Sequence, residues 1–549
     1  MEIKNKNIRR IKGDYIDEVQ LPSLFEFPVL DGIEAARWDQ YSIVEKNIES
    51  RLLMGWAGYA LFISMTRKSW FINSNHIHIF AGSGNNGGDG YVLAWHILSS
   101  TNKKVTIWQL SLPATPDSDY FFKLCSAHEL RERVVIKQLL ETNLNINSFN
   151  NGDLIVDAVF GIGLNKAPSE LIQDIFKQVN AINDVIRIAI DIPSGVYANG
   201  DFFTHSVFQA HYTYSFGSYK IGQLLEPGIL SCGELIAIPI GFFPYDFGKD
   251  PQSILKNENY NRRILKFSEI PSLRKSGSHK YDSGVITILG GSVGMEGAAL
   301  MAAQAFLSLG GGLAKIYSLS NSMKKSLLDT PELMIQTFDD TVSLEKIFLE
   351  SLKSNKQNIA VIGVGLKETL SEDFWRQLLS FKDGTVIIDG SGLGQLNDFE
   401  NYFKKHLLNN LMLTPHFAEA EKLLGKKITN VRLAALEISK RYNAHVYLKG
   451  PGGILVLKQG HSTNTMETTQ EEVYINSKHY ELSTGGTGDV LCGVIANMLC
   501  RYNSFQGIES ALNVYLNAAQ NIVVKNYYKK DFLTPTELIG ALRQSFSLS

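Results

Sequence analysis

The sequence predicts an α/β protein of two domains, each built on a largely parallel β-sheet with helices on both faces. A chain of 549 residues is too long for one ordinary hydrophobic core. Short apolar runs alternate with helix-like stretches along nearly the whole chain, which is typical of βαβ units. The alternation pauses at residues 244–262, PYDFGKDPQSILKNENYNR, which are polar and irregular like a linker.

The pattern assigns the elements in order. In the first domain we expect helices over Tyr91–Ser99 and Ser169–Ile182, and strands at 76–82, 153–161, 185–195 and 211–217. In the second domain we expect strands at 284–291, 313–319, 359–365, 385–392, 411–416 and 446–450. The predicted organisation is an N-terminal extension at 1–26, a first domain at 27–243, a linker at 244–262 and a second domain at 263–549.

Composition argues against several classes of protein. Lys plus Arg is 53 and Asp plus Glu is 55, so the net charge of −2 lacks the basic excess of a nucleic-acid binder. No apolar run reaches the roughly 18 residues of a membrane span, and the polar start lacks a secretory signal. The four cysteines have no CxxC spacing, which favours free thiols in a reducing cytoplasm. We therefore expect a cytoplasmic protein without a nucleic-acid or membrane partner.

The strongest local signal is FAGSGNNGGDGYVLAWHIL (80–98), where a strand runs into a glycine-rich segment and then a helix. Glycines allow positive φ and close approach of the backbone to a ligand, and the start of the helix would suit a phosphate. The GxGxxG match alone is weak. A tight turn would explain two glycines, but hardly the five at Gly82, Gly84, Gly87, Gly88 and Gly90 with Asn85, Asn86 and Asp89 among them.

Two carboxylates, Asp157 and Asp191, fall at the carboxyl ends of later predicted strands. Ligands of open parallel sheets collect at those ends, so both should converge on the glycine segment. Either residue could instead cap a helix, although Pro193 and Gly195 indicate a turn after Asp191. With Asn86 and Ser194 nearby, such oxygen ligands would also suit a cation.

The motifs NNGGDG, VDAVFGIGL and AIDIPSG resemble, in order and spacing, the YjeF N-terminal family, the NAD(P)HX epimerases, over about 30–243. The resemblance implies a Rossmann-like three-layer domain with K⁺ held by Asn86, Asp157 and Ser194. It also implies that Asp191 is the general acid/base at the C6 centre of the hydrated nicotinamide ring, a task for a positioned base. The implied substrate-binding residues are Asn85, Asn86, Gly87, Gly88, Asp89, Gly161, Ile162, Gly163, Leu164, Asn165, Lys166, Ala167 and Asp191. Ala210-His211 departs from the family's Ala-Asp.

In the second domain, LSTGGTGDVLCGVIANML (482–499) is a glycine-rich segment that opens an apolar helix. Its free backbone amides would suit a phosphate. Asp489 could simply favour the positive end of the helix dipole. We prefer to interpret Asp489 as a base that deprotonates an attacking hydroxyl, as in ribokinase-like phosphotransferases. A carboxylate without such a role would only repel the phosphate. The residues alone leave His416 open between core and ligand contact, and Lys449 open between phosphate contact and solvation.

The SHK (278–280), TPH, KG and GGTGD segments resemble, in order, the YjeF C-terminal family, the ADP- or ATP-dependent NAD(P)HX dehydratases. The resemblance, over about 264–545, implies a ribokinase-like three-layer domain in which Asp489 is catalytic and Mg²⁺ accompanies ADP or ATP. The implied hydrate contacts are Ala298, Gly365, His416 and Asp489. The implied nucleotide contacts are Lys449, Gly450, Pro451, Gly452, Gly453 and Gly488.

This half departs from the family pattern in three loops that would meet substrate. The family's GPGLG appears here as GVGLK at Gly363–Lys367, and its DADAL appears as DGSGL at Asp389–Leu393, without the second carboxylate. The family's TPHPGE appears as TPHFAE at Thr414–Glu419. Reduced or retuned dehydratase activity is therefore one expectation for this domain.

Together the two resemblances predict a homo-oligomeric enzyme that epimerises and dehydrates hydrated NADH and NADPH, with the adenine nucleotide as co-substrate. An epimerase fused to a stereospecific dehydratase would recover both epimers. One alternative is a small-molecule kinase on the ribokinase-like scaffold, since fold does not fix function. Another is a non-catalytic first domain that binds a nucleotide or a protein partner.

Overall fold

The structure is a computed structural model of the chain. It describes residues 27–127, 130, 132–139, 144, 149–243, 261–266, 281–353, 358–382, 384–406, 408, 410–458, 470–502, 504–525 and 533–544. The predicted extension at 1–26, the linker up to residue 260 and the SHK segment lie outside these residues.

The first half contains a fully parallel seven-stranded sheet in the order β4-β3-β2-β5-β6-β7-β9, and β1 pairs with β8 beside it. The sheet changes direction between β2 and β5, the topological switch point at which such folds bind ligands. The strands are β1 (Val29–Leu30), β2 (His76–Ala81), β3 (Lys104–Gln109), β4 (Val134–Gln138), β5 (Leu154–Ala158), β6 (Ile186–Ile190), β7 (Tyr212–Phe216), β8 (Tyr219–Lys220) and β9 (Glu234–Ile238).

Helices cover both faces of this sheet. One core cluster joins the strands to α2, α4 and α5, and another joins the opposite face to α6. The helices are α1 (Gly32–Gln40), α2 (Ser50–Thr66), α3 (Ser69–Asn73), α4 (Asn85–Ser100), α5 (Pro116–Cys125), α6 (Glu170–Asn180) and α7 (Ile221–Leu224).

The second half contains a ten-stranded sheet in the order β10-β19-β18-β17-β16-β15-β14-β11-β12-β13, in which β18 alone runs antiparallel to its two neighbours. The strands are β10 (Arg262–Ile264), β11 (Val285–Leu289), β12 (Leu313–Ser318), β13 (Met334–Thr337), β14 (Asn358–Ile362), β15 (Thr385–Ile388), β16 (Asn410–Leu413), β17 (His445–Leu448), β18 (Ile454–Lys458) and β19 (Gln470–Tyr474).

Two helical layers enclose this sheet. The helices are α8 (Glu296–Ser308), α9 (Thr341–Lys353), α10 (Glu372–Leu378), α11 (Glu400–Phe403), α12 (Phe417–Leu424), α13 (Val431–Tyr442), α14 (Thr487–Leu499), α15 (Ser504–Lys525) and α16 (Pro535–Gln544). One face packs against α8, α14, α15 and α16, and the other packs against α9 to α13. The predicted class, two three-layer α/β domains, is confirmed.

The two halves share one interior at their junction. Ile221, Leu224 and Leu225, in and just after α7, are fully buried in the same apolar cluster as Leu448 and Ile454 of the second sheet. A buried ionic network crosses the same junction: the Arg262 guanidinium lies 2.5 Å from Glu34 and 3.3 Å from Glu472, which also pairs with Arg432.

Every predicted strand is present, but the pattern missed β1, β3, β4, β8, β9, β10, β13 and β19. The first predicted helix was placed too late, because α4 already begins at Asn85. Among the described residues, no helix is both long and apolar enough to cross a membrane.

Candidate active sites at the carboxyl ends of the two sheets

The NNGGDG segment is the first turn and a half of α4 rather than a loop before it. The expectation of positive φ was wrong, because none of the five glycines lies in that region. Three of them are needed for close packing. A Cβ at Gly82 would overlap the carbonyl of Val159, one at Gly87 would overlap the carbonyl of Gly82, and one at Gly90 would press on Ala158. The glycines therefore bring the start of α4 against the ends of β2 and β5, at the switch point.

Asp191 follows β6 in a left-handed backbone conformation, with φ of 62°. Its carboxylate accepts a hydrogen bond from the amide of Phe216 at 3.0 Å and pairs with the ammonium group of Lys220. Both residues are buried, with Asp191 8% and Lys220 2% exposed. A non-glycine residue in such a conformation is uncommon and is typical of functional sites when its surroundings enforce it.

Asp191 and Lys220 line a cavity of about 180 Å³ together with Asn85, Asn86, Asp89 and Asp39. Burial raises the pKa of Asp89 well above its usual range, and repulsion from Asp191 and Asp39 adds to this effect. Burial and the charge of Asp191 also raise the pKa of Asp39. The cavity thus combines one ion pair with two carboxyl groups that favour their protonated form.

Asp157 is fully buried and forms an oxygen-rich cluster with Ser194. It accepts hydrogen bonds from the Ser194 amide at 2.7 Å, from the Ser194 hydroxyl at 2.6 Å and from the Val159 amide at 3.1 Å. Burial raises the pKa of Asp157 to about 6 despite these bonds, which lower it. Asn86 donates to the carbonyl of Phe160 at 3.1 Å, and the Ser194 hydroxyl lies 3.3 Å from the same carbonyl, so Ser194 links the other two predicted ligands. Neutral oxygens with one carboxylate fit a hard cation.

The predicted substrate-binding loop at 161–167 is brought only partly to this cavity. Ile162 lines it, whereas Gly163, Leu164 and Asn165 line a neighbouring cavity of about 580 Å³ with Arg37 and Asn199. Gly161 lies against Asn86. Lys166 and Ala167 are exposed and line neither cavity.

In the second domain, Asp489 lies in the first turn of α14, which starts from Gly486 with φ of 96°. Burial raises the pKa of Asp489 to about 7, repulsion from Asp389 adds to this rise, and Lys449 opposes it. A carboxyl group that titrates near neutral pH is suited to accept a proton from a hydroxyl.

Lys449 forms an ion pair with Asp389 at 2.7 Å, so the solvated alternative for Lys449 was wrong. Burial alone would lower the pKa of Lys449, but the adjacent carboxylate outweighs burial and raises it. Thr414 also donates to Asp389 at 2.8 Å. A Cβ at Gly488 would lie 3.3 Å from the Lys449 ammonium, so the start of α14 meets this ion pair directly.

His416 is the N-cap of α12 and forms a capping box with Glu419. Its side chain is 55% exposed, which excludes the core alternative and leaves it free to contact a ligand. Gly365, with φ of 63°, packs against Ala298 of α8, since a Cβ there would come within 2.9 Å of the Ala298 side chain. The predicted hydrate contacts Gly365 and Ala298 are therefore neighbours.

The predicted nucleotide segment Lys449–Gly453 is the tight connection between β17 and β18. Gly450 is exposed, whereas Gly452 and Gly453 are buried. A Cβ at Gly452 would overlap the carbonyl of Leu224, so the back of this turn rests on α7 of the first domain.

The loops that depart from the family pattern are well integrated. The Ser391 hydroxyl, where the pattern has a second carboxylate, donates to the carbonyl of Leu366 and lies 3.2 Å from that of Gly363. Lys367 donates to the carbonyl of Val293 at 2.6 Å, next to the glycine loop after β11. Gly363 and Gly365 keep positive φ of 105° and 63°.

Three residues of the sites were missed as candidates: Lys220, Asp39 and Asp389. A signal existed for Asp389, which directly follows a buried strand in TVIID, as Asp191 does. No local pattern marks Asp39 or Lys220, because an isolated charge in an ordinary helix or turn has no distinctive spacing.

The fold and these crevices define a two-domain α/β enzyme with an acid-bearing site at the carboxyl edge of each sheet. The sequence model of the family YjeF-related protein N-terminus matches residues 50–222, and that of the family NAD(P)H-hydrate dehydratase matches residues 286–543. The bifunctional NAD(P)H-hydrate repair enzyme Nnr of Moorella thermoacetica is 30% identical over 88% of this chain and 90% of its own. That of Escherichia coli is 28% identical over 90% and 88%.

The chain belongs to the family of bifunctional NAD(P)H-hydrate repair enzymes. The family predicted from the sequence motifs is confirmed, and with it the Rossmann-like and ribokinase-like fold types. A solved ADP/ATP-dependent NAD(P)H-hydrate dehydratase from Bacillus subtilis, co-crystallized with ATP/Mg²⁺, is 21% identical over 52% of this chain and 98% of its own, with a TM-score of 0.41.

Proposed function

We propose that this chain repairs hydrated NADH and NADPH, with an epimerase in the first domain and an ADP- or ATP-dependent dehydratase in the second. The carrying observation is that each family-matched half holds an aspartate at the carboxyl edge of its sheet, the buried Asp191 in one and the partly buried Asp489 in the other. The family match over both halves favours this function over a small-molecule kinase or a non-catalytic first domain.

For the epimerase, the hydrated ring enters the cavity beside Asp191, which moves a proton at the C6 centre. Lys220 and the Phe216 amide hold the carboxylate in place. The substrate contacts are the Asn85–Asp89 turn and the loop at 161–167, as the family resemblance implies. Asn86, Asp157 and Ser194 would hold a K⁺ ion, which supplies positive charge for the phosphates of the dinucleotide beside the α4 N-terminus.

For the dehydratase, Asp489 accepts the proton of the C6 hydroxyl while the oxygen attacks the terminal phosphorus of ADP or ATP, and the P–O bond to the departing AMP or ADP breaks. The phosphorylated oxygen then leaves C6 as inorganic phosphate with its electron pair, assisted by the lone pair of the ring nitrogen, and loss of the C5 proton to water restores the dihydropyridine. Ala298, Gly365 and His416 contact the hydrate, and Lys449–Gly453 with Gly488 contact the nucleotide. Mg²⁺ accompanies the nucleotide and neutralises its phosphate charge.

The remaining proposals follow from the same substrates. The chain works in the cytoplasm, where reduced nicotinamide nucleotides are in use, and it forms a homo-oligomer. Size-exclusion chromatography with light scattering measures this state, and a monomeric mass would refute it.

The experiment follows the absorbance of reduced nicotinamide after mixed R and S hydrates are added to the full chain. With ADP or ATP, we expect both epimers to be recovered. Asp489→Asn should abolish recovery while the epimers still interconvert. Asp191→Asn should stop interconversion while the S epimer is still recovered. No recovery by the wild-type chain with either nucleotide would refute the dehydratase, and normal interconversion by Asp191→Asn would remove Asp191 from its role.

A further inference from the structure

The epimerase cavity contains more acid than a single base requires. Four carboxyl groups line it, those of Asp39, Asp89, Asp117 and Asp191, against the single cation of Lys220. Asp117 is already engaged by Ser50 and by Arg51, which lies 3.2 Å away. Within the described part of the chain, neither Asp39 nor Asp89 has a hydrogen-bond donor on its carboxyl group. The carboxyls of Asp39 and Asp89, both on partly buried residues, thus face the place where the ring must react.

Lys220 is fully committed to Asp191 and its neighbourhood. Besides the carboxylate, its ammonium group contacts the carbonyl of Phe216 at 3.0 Å, the hydroxyl of Ser215 at 3.2 Å and the carbonyl of Ser218 at 3.3 Å. An ammonium group has three protons, so none is left for the substrate. Lys220 therefore serves as the counter-charge of Asp191, and its protons are all engaged by protein atoms.

Asp89 occupies the centre of this arrangement. Its carboxyl is close enough to Asp191, Asp39 and Lys220 to feel all three charges, whereas Asp39 responds to Asp191. Asp89 also lies on the second turn of α4, directly after the asparagines and glycines that meet the strand ends. Its burial and its two acidic neighbours raise its pKa well above its usual range, which favours the protonated form that an acid requires.

We propose that Asp89 is a second catalytic residue of the epimerase, the acid that protonates the oxygen leaving C6, while Asp191 is the base for the water that returns. The inference rests on the epimerase function proposed above and assigns a chemical step to its site. A neighbouring pair of carboxyls in opposite protonation states is a known way to obtain an acid and a base from one residue type.

The step balances without a further reactant. The C6–O bond breaks with its electron pair on oxygen, the Asp89 proton converts that oxygen to water, and the lone pair of the ring nitrogen forms a C6–N1 double bond. Water then adds to the opposite face of C6, gives a proton to Asp191, and the π pair returns to nitrogen. Transfer of the proton from Asp191 back to Asp89 through water restores the resting state.

The test compares Asp89→Asn with Asp39→Asn in the full chain, because both changes remove one unpartnered carboxyl from the same cavity. Interconversion of the epimers is measured without adenine nucleotide across a pH series. We expect Asp89→Asn to lose about 100-fold in rate, as removal of a general acid does, and to lose the alkaline fall of the pH profile. Asp39→Asn should keep the alkaline fall but shift it to lower pH, because one repelling charge on Asp89 is gone. Asp89→Glu should recover part of the rate.

A second readout is the exchange of oxygen at C6 when the reaction runs in ¹⁸O-labelled water. Each turnover should introduce the label in wild type, and full retention of the original oxygen would overturn the proposed step. Dehydration of the S epimer by the same Asp89→Asn chain reports that the protein is folded. If wild type interconverts the epimers but Asp89→Asn keeps the wild-type rate and alkaline fall, the role of Asp89 is refuted while the epimerase stands. If wild type itself fails, the proposed function falls instead.

Discussion

The two sites use the same charged parts in opposite ways. Each contains a lysine–aspartate ion pair and a second carboxyl with a raised pKa: Lys220–Asp191 with Asp89 in the first domain, and Lys449–Asp389 with Asp489 in the second. In the first domain, the aspartate that we assign as base is the paired one. In the second, it is the unpaired one.

This difference matches the chemistry of the two proposed reactions. The proposed epimerisation removes an oxygen from one face of C6 and adds one to the other face, so it needs a fixed carboxylate and a separate acid. Phosphorylation needs only one base beside the attacking hydroxyl, and the lysine can serve the phosphates instead. The comparison teaches that a lysine–aspartate pair at a sheet edge does not identify the base; the placement of the remaining carboxyl does.

The largest expected effect comes from removing the lysines. Lys220→Met should lower the epimerase rate by about 100-fold, because Asp191 loses the buried ammonium group that holds its carboxylate in place among other carboxyls. The dehydratase rate should stay within about threefold of its original value, since Lys220 does not reach that site. Lys449→Met should do the reverse. Chromatography of the epimers measures the epimerase rate, and the absorbance of reduced nicotinamide measures the dehydratase rate. If either change disabled both activities, the two sites would not be separate units.

The next largest effect is expected on stability, from the ionic network at the junction of the two halves. Glu472→Gln should lower the free energy of unfolding by about 3 kcal/mol, because the largely buried guanidinium of Arg432 loses its carboxylate partner and the buried guanidinium of Arg262 loses one of its two, Glu34 being the other. Urea titration followed by fluorescence measures the change. Glu471→Gln is the matched control, since its partner Arg263 is 35% exposed and such pairs contribute less than about 1 kcal/mol. Equal losses in both variants would contradict a special role of the buried network.

Gly452→Ala tests whether the nucleotide turn and the epimerase site are mechanically joined. The added Cβ would overlap the Leu224 carbonyl at the end of α7, and φ at Gly452 is 63°. The start of α7 carries Lys220 and Gln223, which hold the side chain and the backbone of Asp191. We therefore expect about a threefold to tenfold fall in epimerase rate.

Gly450→Ala is the control for this prediction, because among the described residues a Cβ there meets only Glu226, at 3.9 Å. Its epimerase rate should match wild type. Equal epimerase rates for Gly452→Ala and Gly450→Ala would show that the turn does not influence Asp191.

The smallest effect is a shift in pH dependence. The proposed base Asp489 must be ionised, so the dehydratase rate should rise with pH through about 7. Asp389→Asn removes a repelling charge and leaves Lys449 free to attract Asp489, so the pKa of Asp489 should fall and the rise should move to lower pH. A pH series of initial rates at saturating nucleotide measures this. A shift to higher pH would mean that Asp489 is not the titrating group.

Much of the candidate site follows from single segments of sequence. Asp157, Asp191 and Asp489 were predicted because each stands at a strand end or helix start within a recognisable motif, and local periodicity is strongest there. Asp39 and Lys220 were missed because they are distant in sequence from Asp191, and only the packing of α1 and α7 over the sheet brings them to it. The glycines at the start of α4 were identified, but the expected positive φ was wrong. They are needed because a Cβ would meet atoms at the ends of neighbouring strands.

The sequence by itself determined the two α/β domains, their family and most of the acidic residues at the sheet edges, because these depend on periodicity and on short motifs. Only the tertiary structure decided which carboxyl is paired with which lysine, and that α7 of the first domain is buried in the core of the second. The protonation of a buried carboxyl depends on charges that chain folding brings near it. That neighbourhood is not written in the local sequence.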